Sequence, residues 1–449
     1  MSHRPTVAVI GAGFSGLLTA LHLTGDPEGP VVRLIERGET FARGAAYSTA
    51  NPDHLLNVRV ANMSAYPDDP EHFTRWLATH EGWSSHGGFV TRGVYGDYLQ
   101  DLLRTAVEST AAGRLLLEQD EAIDVQRAGA GWLVKLGLGR EIAAEAVVLA
   151  LGVLRPAPPA AAGPDMLASP RYIADPWDPK TRLDQTAGDV LLMGAGLTMI
   201  DAAITLWRPG RRFWAISRRG LVPRAHAHVA ARAPARALQG SPGEMLRQVR
   251  AAAANGQWRE TIDDLRPHVR AIWQGWTLAQ RRSFLRHLRP WWDVHRHRLA
   301  PGVARRTGML IRSRELVVRA GEAISLTPGR DGVEVIWRPR GGTLTRKLSV
   351  AAVVNCTGLL GDLEQATEPL LKRLLARGQI RSDACRLGVD VDPASRLIGR
   401  SGASDPGLYA VGPLTRGAFW EITSVPDIRT QAADVAQALL GGLRKAAAA

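Results

Sequence analysis

The chain has 449 residues, 45% apolar and 22% charged, with a formal net charge of +13 carried mostly by arginine. That length carries two or three domains and a large core. The composition is that of an ordinary globular protein, and no run approaches the roughly 18–20 apolar residues of a membrane span. The two cysteines, Cys356 and Cys385, are far apart in the sequence. They form no C-x-x-C pair, which argues against a disulfide framework and fits a reducing cytoplasm. Arginine forks suit phosphate. With no zinc-finger or RNP-type motif, the charge reads as a solvated basic surface with some arginines serving nucleotide phosphates, and no nucleic-acid or membrane partner is expected.

Val7 to Ile10 has the length of a buried strand. Gly11, Gly13 and Gly16 follow in G-x-G-x-x-G order, and Leu17, Leu18, Leu21 and Leu23 recur as on an amphipathic helix. In such a unit the first glycine makes a tight turn. The second lets backbone approach a pyrophosphate, and the third lets the helix pack closely on the strand. The helix N-terminus offers unpaired N–H groups to the phosphates. A second strand, Val31 to Ile35, ends at Glu36, whose carboxylate suits ribose hydroxyls and repels a 2′-phosphate. The first site therefore expects FAD or NAD. A secretory signal is the rival for this N-terminus, but no A-x-A cleavage pattern stands out.

Arg43 to Thr49, His54 to Val58 and Asn62 to Ala65 read as an ordered loop. Gly44 to Ala46 are small enough to admit a flat ring, and Asn57 and Ser64 can hydrogen-bond its edge. The alternative is a surface loop with a turn at Asn51-Pro52-Asp53. Phe73, Trp76 and Leu77, then Tyr98, Leu99, Leu102 and Leu103, mark core faces of helices, with a Gly/Ser-rich link over 83–93 between them. Leu115 to Glu118, Ile123 to Val125 and Trp132 to Leu136 read as a small meander. Ala146 to Gly152 is a buried strand, and the Pro-rich stretch from Arg155 to Pro164 is the first domain boundary.

A second nucleotide unit begins at Asp189. Val190 to Met193 is its strand, Gly194-Ala195-Gly196-Leu197-Thr198 its turn, and Met199 to Leu206 its helix. Met199-Ile200 replaces the third glycine, which puts close helix packing in doubt. The next strand, Phe213 to Ser217, ends in Arg218-Arg219, suited to clamping a ribose 2′-phosphate. The functional reading is an NADPH site, and the bland one a solvated arginine pair.

Residues 240–300 read as an all-helical insert, with Ile262, Leu265, Val269, Ile272 and Trp276 at helical spacing. Its interleaved tryptophans and arginines suit a phosphate or a stacked ring, and, in the blander reading favoured here, a core and a solvent face. His295 and His297, like His226 and His228, lack a nearby cysteine, so no metal site is expected. Ile311-Arg312, Leu316 to Val318, Val333 to Trp337 and Leu344-Thr345 read as a second meander. Ala351 to Gly358 is another buried strand ending in small residues, and Gly407 to Pro413 is a last core strand. A final helix begins near Ser424 and ends at Gly441-Gly442.

This order of parts resembles the two-dinucleotide-domain flavoproteins over essentially the whole chain. More narrowly, Arg43 to Thr49, His54 to Val58, Tyr172 to Trp177, Ser217 to Gly220 and Phe284 to Pro290 resemble a bacterial FAD/NAD(P)-binding family. That family is similar to class B flavin monooxygenases and amine N-hydroxylases. The resemblance implies an α/β protein with two Rossmann-like dinucleotide-binding domains, the NADP domain inserted in the FAD domain, plus a helical segment. The expected domains are 1–158 (FAD, first part), 159–345 (NADP, with the insert at about 240–300) and 346–449 (FAD, second part). It implies FAD and NADPH as cofactors, contacted at Gly11, Gly13, Phe14, Ser15, Gly16, Glu36, Arg37, Gly44, Ala45, Ala46, Tyr47, Asn57, Val58, Met63, Ser64, Ala122, Ala150, Leu151, Gly152, Gly194, Gly196, Leu197, Thr198, Arg218, Arg219, Thr357, Gly358, Gly412, Pro413 and Trp420.

The helix near Ser424 is then expected to point at the flavin pyrimidine edge. The implied activity is an NADPH oxidoreductase, a monooxygenase that hydroxylates a small molecule with oxygen through a flavin peroxide. The rivals are a flavin dehydrogenase or reductase and a non-catalytic flavin-binding protein. The Baeyer–Villiger branch carries an F-x-G-x-x-x-H-x-x-x-W motif before its second nucleotide site, where this chain has Tyr172 to Trp177 instead. No catalytic side chain is assigned, and the oligomeric state is open.

Overall fold

The computed structural model describes residues 4–49, 51–80, 88–110, 113–178, 187–227, 238–358 and 361–448. His228 and residues 83–87 of the link lie outside them. In chain order the strands are β1 (Thr6–Ile10), β2 (Val31–Glu36), β3 (Leu115–Gln119), β4 (Ala122–Ala128), β5 (Gly131–Leu136), β6 (Glu141–Ala144), β7 (Ala146–Leu149) and β8 (Tyr172–Ile173). There follow β9 (Val190–Met193), β10 (Phe213–Ser217), β11 (Leu316–Pro328), β12 (Val333–Pro339), β13 (Arg346–Val350), β14 (Ala352–Asn355), β15 (Arg396–Ile398) and β16 (Ser404–Ala410).

They form three sheets, ordered β15-β16-β7-β1-β2-β3, β13-β12-β11-β10-β9-β14-β8 and β4-β5-β6. In the first sheet β1 pairs in parallel with β2 and β7. Val7, Ala8 and Val9 are fully buried there, as expected of a strand covered on both faces. The helix Phe14–Gly25 packs on this sheet and against the C-terminal helix Val425–Ala448. In the second sheet β9 pairs in parallel with β10 and β14. The two halves thus repeat one plan, and the second is continuous in sequence between the two parts of the first.

Several expectations change. Leu115 to Glu118 belongs to the parallel sheet as β3, beside β2, and the meander is β4-β5-β6. Only Leu115 and Glu118 of its five residues are buried, which suits an edge position. Ile311-Arg312 ends the helix Pro301–Arg312 instead of opening a strand, and the last strand of the second meander starts at Arg346, after Leu344-Thr345. β13 and β14 hydrogen-bond into the second sheet, which therefore runs to Asn355. The final helix runs through Gly441-Gly442 to Ala448. A glycine within a helix costs about 1 kcal/mol but does not terminate it without a left-handed cap.

The insert is helical throughout most of its length, as the periodicity predicts. Its apolar run is broken between Trp258–Leu265 and Val269–Gly275 by a 3₁₀ turn at Arg266–His268, where Pro267 removes a backbone donor. Trp273, Phe284 and Val269 pack with Leu387 and Trp420, so the insert seals against segments that follow the second sheet in the chain.

Candidate active site

The first glycine turn is fixed by contact. Gly11 has φ +98°, and a Cβ there would sit 2.5 Å from the Ala150 carbonyl oxygen. A Cβ on Gly16 would sit 1.8 Å from the Gly11 carbonyl oxygen and 3.2 Å from Ala150 Cβ. No side chain other than hydrogen fits either place. This contact draws Ala150, Leu151 and Gly152, at the end of β7, onto the turn. The helix Phe14–Gly25 is capped by Gly13 with no side-chain hydrogen bond and has no acidic residue in its first turn. Its leading N–H groups therefore keep their capacity and partial charge for an anion.

Glu36 closes the opposite side. Its Oε2 accepts the Ala12 N–H at 2.9 Å, and its Oε1 accepts the Gly38 N–H at 3.0 Å. Ala122 follows β3 beside it, and Arg37 is exposed, 3.7 Å from Glu121. Residues 44–47 form one helical turn where an irregular loop was expected. Gly44, at φ +53°, lies against Gly13, since a Cβ on Gly44 would be 3.1 Å from Gly13 Cα. Ala45 and Ala46 are exposed beside this contact. The Tyr47 ring meets Tyr95 at 4.8 Å and Phe14 at 6.3 Å, and burial pushes its phenol up to about 12. At the far end of the sheet, a Cβ on Gly412 would sit 2.3 Å from Ser15 Oγ, which brings Gly412 and Pro413 to the same helix N-terminus.

Other expected contacts are placed less openly. Met63 is buried, and Ser64 is committed within its own loop. Its hydroxyl donates to the Asp69 carbonyl at 2.6 Å and accepts the Tyr66 N–H at 3.1 Å. The Asn57 carbonyl accepts from His226 Nε2 at 3.0 Å across the seam between the halves, next to half-buried Val58. Burial lowers the His226 imidazole to about 4. Trp420 is 2% exposed and stacks on Trp273, with ring centroids 5.0 Å apart, so its ring is committed to packing. The hydroxyl of Ser424 donates to the Asp427 carboxylate at the start of the last helix.

The second turn repeats the first. Gly194 has φ +120°, and a Cβ there would sit 2.3 Å from the Cys356 carbonyl oxygen, which draws Thr357 and Gly358 alongside as Leu151 and Gly152 are drawn to Gly11. The helix Leu197–Leu206, with Thr198 in its first turn, is again capped by a glycine, Gly196, without a side-chain hydrogen bond or an early acid. Arg218 is exposed and Arg219 half-buried, just past β10. Among the described residues neither forms an ion pair.

Residues 8–154 match the family model described as FAD-NAD(P)-binding. No curated protein matches the chain. Among solved structures it is similar to the ornithine N-hydroxylase of Kutzneria sp. 744, solved with reduced FAD, NADP+ and L-ornithine, at 15% identity and a TM-score of 0.64 over 99% of each chain. It is also similar to the L-lysine 6-monooxygenase of Pseudomonas syringae, at 16% identity and a TM-score of 0.63 over 98% of this chain and 100% of that one. The thioredoxin reductase of Lactococcus lactis is more distant, at 10% identity and a TM-score of 0.56, covering 98% of this chain and 100% of that one. The fold is that of the two-dinucleotide-domain flavoproteins.

Two groupings escaped the sequence reading. Arg289, Arg386 and Arg416 converge on one cavity. They come from three separate segments, so no local pattern announces them. The second grouping joins the halves. His54 Nε2 lies 2.8 Å from Thr205 Oγ1, and Arg92 donates to Asp201 Oδ2 at 2.7 Å. Nothing local to the His54–Asn57 segment marks the helix Leu197–Leu206 as its partner.

Proposed function

We propose that the chain is an FAD-containing, NADPH-dependent oxidoreductase, and within that class a monooxygenase that hydroxylates a small molecule. The observation that carries this reading is the pair of uncapped helix N-termini behind glycine turns, one beside Glu36 and the other beside Arg218 and Arg219. The carboxylate at the first favours a free ribose, and the unpaired guanidiniums at the second favour a 2′-phosphate. In this reading Gly13, Ser15 and the N–H groups of Phe14–Gly25 hold the FAD pyrophosphate, and Gly44 to Tyr47, Gly152 and Pro413 border the rest of the cofactor. Bound FAD supplies the electron transfer and the reaction with oxygen, while the protein binds, orients and shields.

The N-hydroxylase likeness supports oxygen insertion over disulfide reduction, and the cysteines point the same way. Cys356 is buried at the end of β14, and burial pushes its thiol well up. Cys385 is also free. A thiolate relay needs an accessible, low-pKa pair, which these two do not make. The test is anaerobic mixing of the purified yellow protein with NADPH and with NADH, followed by oxygen. The expected result is faster bleaching by NADPH, then oxygen uptake coupled to a hydroxylated product. Colourless protein, or flavin indifferent to both nucleotides, refutes the reading.

A further inference from the structure

A cavity of about 120 Å³ lies where the first domain meets the helical insert. Gly152 and Pro413, the strand-end residues assigned above to the border of the FAD site, form one side, and Leu387 lines it as well. Arg289, Arg386 and Arg416 form the charged side, and among the described residues no carboxylate lines it. Ligand pockets for whole drug-sized molecules run to about 300–1,000 Å³. This one is small for a cofactor and sized for the polar head of a smaller molecule.

The three arginines differ in how far they are already matched. Arg386 pairs with Asp362 at 2.7 Å, and Arg289 reaches Asp293 at 3.4 Å. Arg416 forms no ion pair among the described residues, and its Nε is buried without a hydrogen-bond partner. Its guanidinium lies 4.4 Å from the Trp420 ring. Burial and the neighbouring Arg289 charge push it down to about 10, with Asp293 and Glu421 acting in the opposite sense, so it stays cationic at neutral pH without a carboxylate in direct contact. The nearby Glu421 is already held by Arg296 at 3.1 Å and by Trp292 Nε1 at 2.7 Å. A desolvated guanidinium without a carboxylate calls for an anion from outside.

The loop carrying Arg386 is built to a fixed shape. Arg386 sits at φ +54°, a backbone region that arginine rarely adopts. Buried Asp383 holds it there: its carboxylate accepts the N–H groups of Cys385, at 2.7 Å, and of Leu387. A Cβ on Gly361 would sit 2.7 Å from the Arg386 carbonyl oxygen, so the opposite wall is pressed against the same loop. Strain of this kind collects at binding sites, where the surrounding structure over-determines it.

We infer that this cavity receives the carboxylate of a small anionic substrate, with Arg416 as its principal partner and Arg289 and Arg386 beside it. This rests on the functional reading above, which makes the adjoining strand ends the border of the flavin site, and it gives that reading a substrate class. A planar carboxylate matches a guanidinium fork through paired hydrogen bonds. The second nucleotide turn contributes nothing to the lining, so the cavity is separate from the site assigned to the NADPH phosphates.

The experiment titrates the full-length holoprotein with benzoate, with its neutral isostere benzamide and with inorganic phosphate, reading the melting temperature and the flavin absorbance spectrum. Benzoate is expected to raise the melting temperature saturably and to shift the spectrum, while benzamide does neither. Arg416→Gln should weaken benzoate at least about tenfold, and Arg416→Lys should recover part of the loss. If Arg416→Gln does not fold, Arg416→Lys replaces it, since it keeps the charge but loses the planar fork and should still weaken benzoate. Equal responses to benzoate and benzamide, unchanged benzoate affinity in the variant that folds, competition by NADP+, or phosphate binding in place of benzoate would each overturn the inference. Yellow, NADPH-bleached protein that ignores benzoate removes this inference alone. Colourless protein that still melts higher with benzoate removes the functional reading and leaves an anion site.

Discussion

A side chain at Gly16 would run into the Gly11 carbonyl oxygen at 1.8 Å, whereas the same step of the second turn is filled by Met199, fully buried in its own core. Gly196 differs from Gly13 in the same sense. A Cβ on Gly13 would already touch Gly44 Cα at 3.5 Å, but one on Gly196 meets nothing within 4 Å. Only the opening glycine, Gly11 or Gly194, is equally constrained in both halves. The first turn is therefore locked by strand and helix with the Gly44 segment in contact, and the second is locked by its strand alone. A tightly enclosed turn suits a cofactor that stays bound, and an open one suits a nucleotide that enters and leaves each cycle. The proposed assignment of FAD to the first turn and NADPH to the second follows that difference.

The largest effect that would break the comparison is Gly16→Val. It should cost at least about 3 kcal/mol of stability and leave little FAD bound, measured by melting temperature and flavin absorbance per chain. Next comes the double change Arg218→Ala/Arg219→Ala. It should raise the NADPH concentration needed for half-maximal flavin reduction by about 10- to 100-fold, with NADH reduction and FAD content unchanged in stopped-flow traces. If both nucleotides weaken together, the arginines do not read a 2′-phosphate.

A smaller effect concerns the seam. The His226 imidazole is held neutral, with its folded value lowered to about 4 by burial, against 6.5 in a free chain. Protonation therefore favours the unfolded chain, and the stability this residue contributes is present above about 6.5 and lost as pH falls toward about 4. The melting temperature of the parent should fall through that window, and His226→Asn should flatten the slope. The smallest effect is Gly196→Ala, which should change stability by less than about 0.5 kcal/mol, in contrast to Gly16→Val. Thermal melts of the two variants side by side decide whether the turns differ as described.

Much of this was legible in the sequence because it is local. The strand, glycine turn and helix at Thr6–Gly25, with Glu36 at the end of the next strand, are set by short-range sterics and apolar spacing, and the structure keeps them together. The replacement of the third glycine at Met199 could be read as a departure, but its meaning depended on what packs there. Leu115 to Glu118 misled because a short apolar strand carries no mark of its partner, and pairing with β2 puts it in the parallel sheet. Ser64 and Trp420 looked available for a cofactor, yet the fold commits the hydroxyl to its own turn and the indole to Trp273.

The sequence by itself determined that two nucleotide units exist, where each begins, and that one ends in an acid and the other in a pair of arginines. Tertiary structure alone decided which strands close each sheet and which loops are pressed onto the glycine turns. It also decided that three arginines from separate segments share one cavity. The physical reason is range: backbone sterics and helix or strand periodicity act over a few residues, whereas burial of a guanidinium or the fit of one loop against another depends on chain segments that meet only after folding.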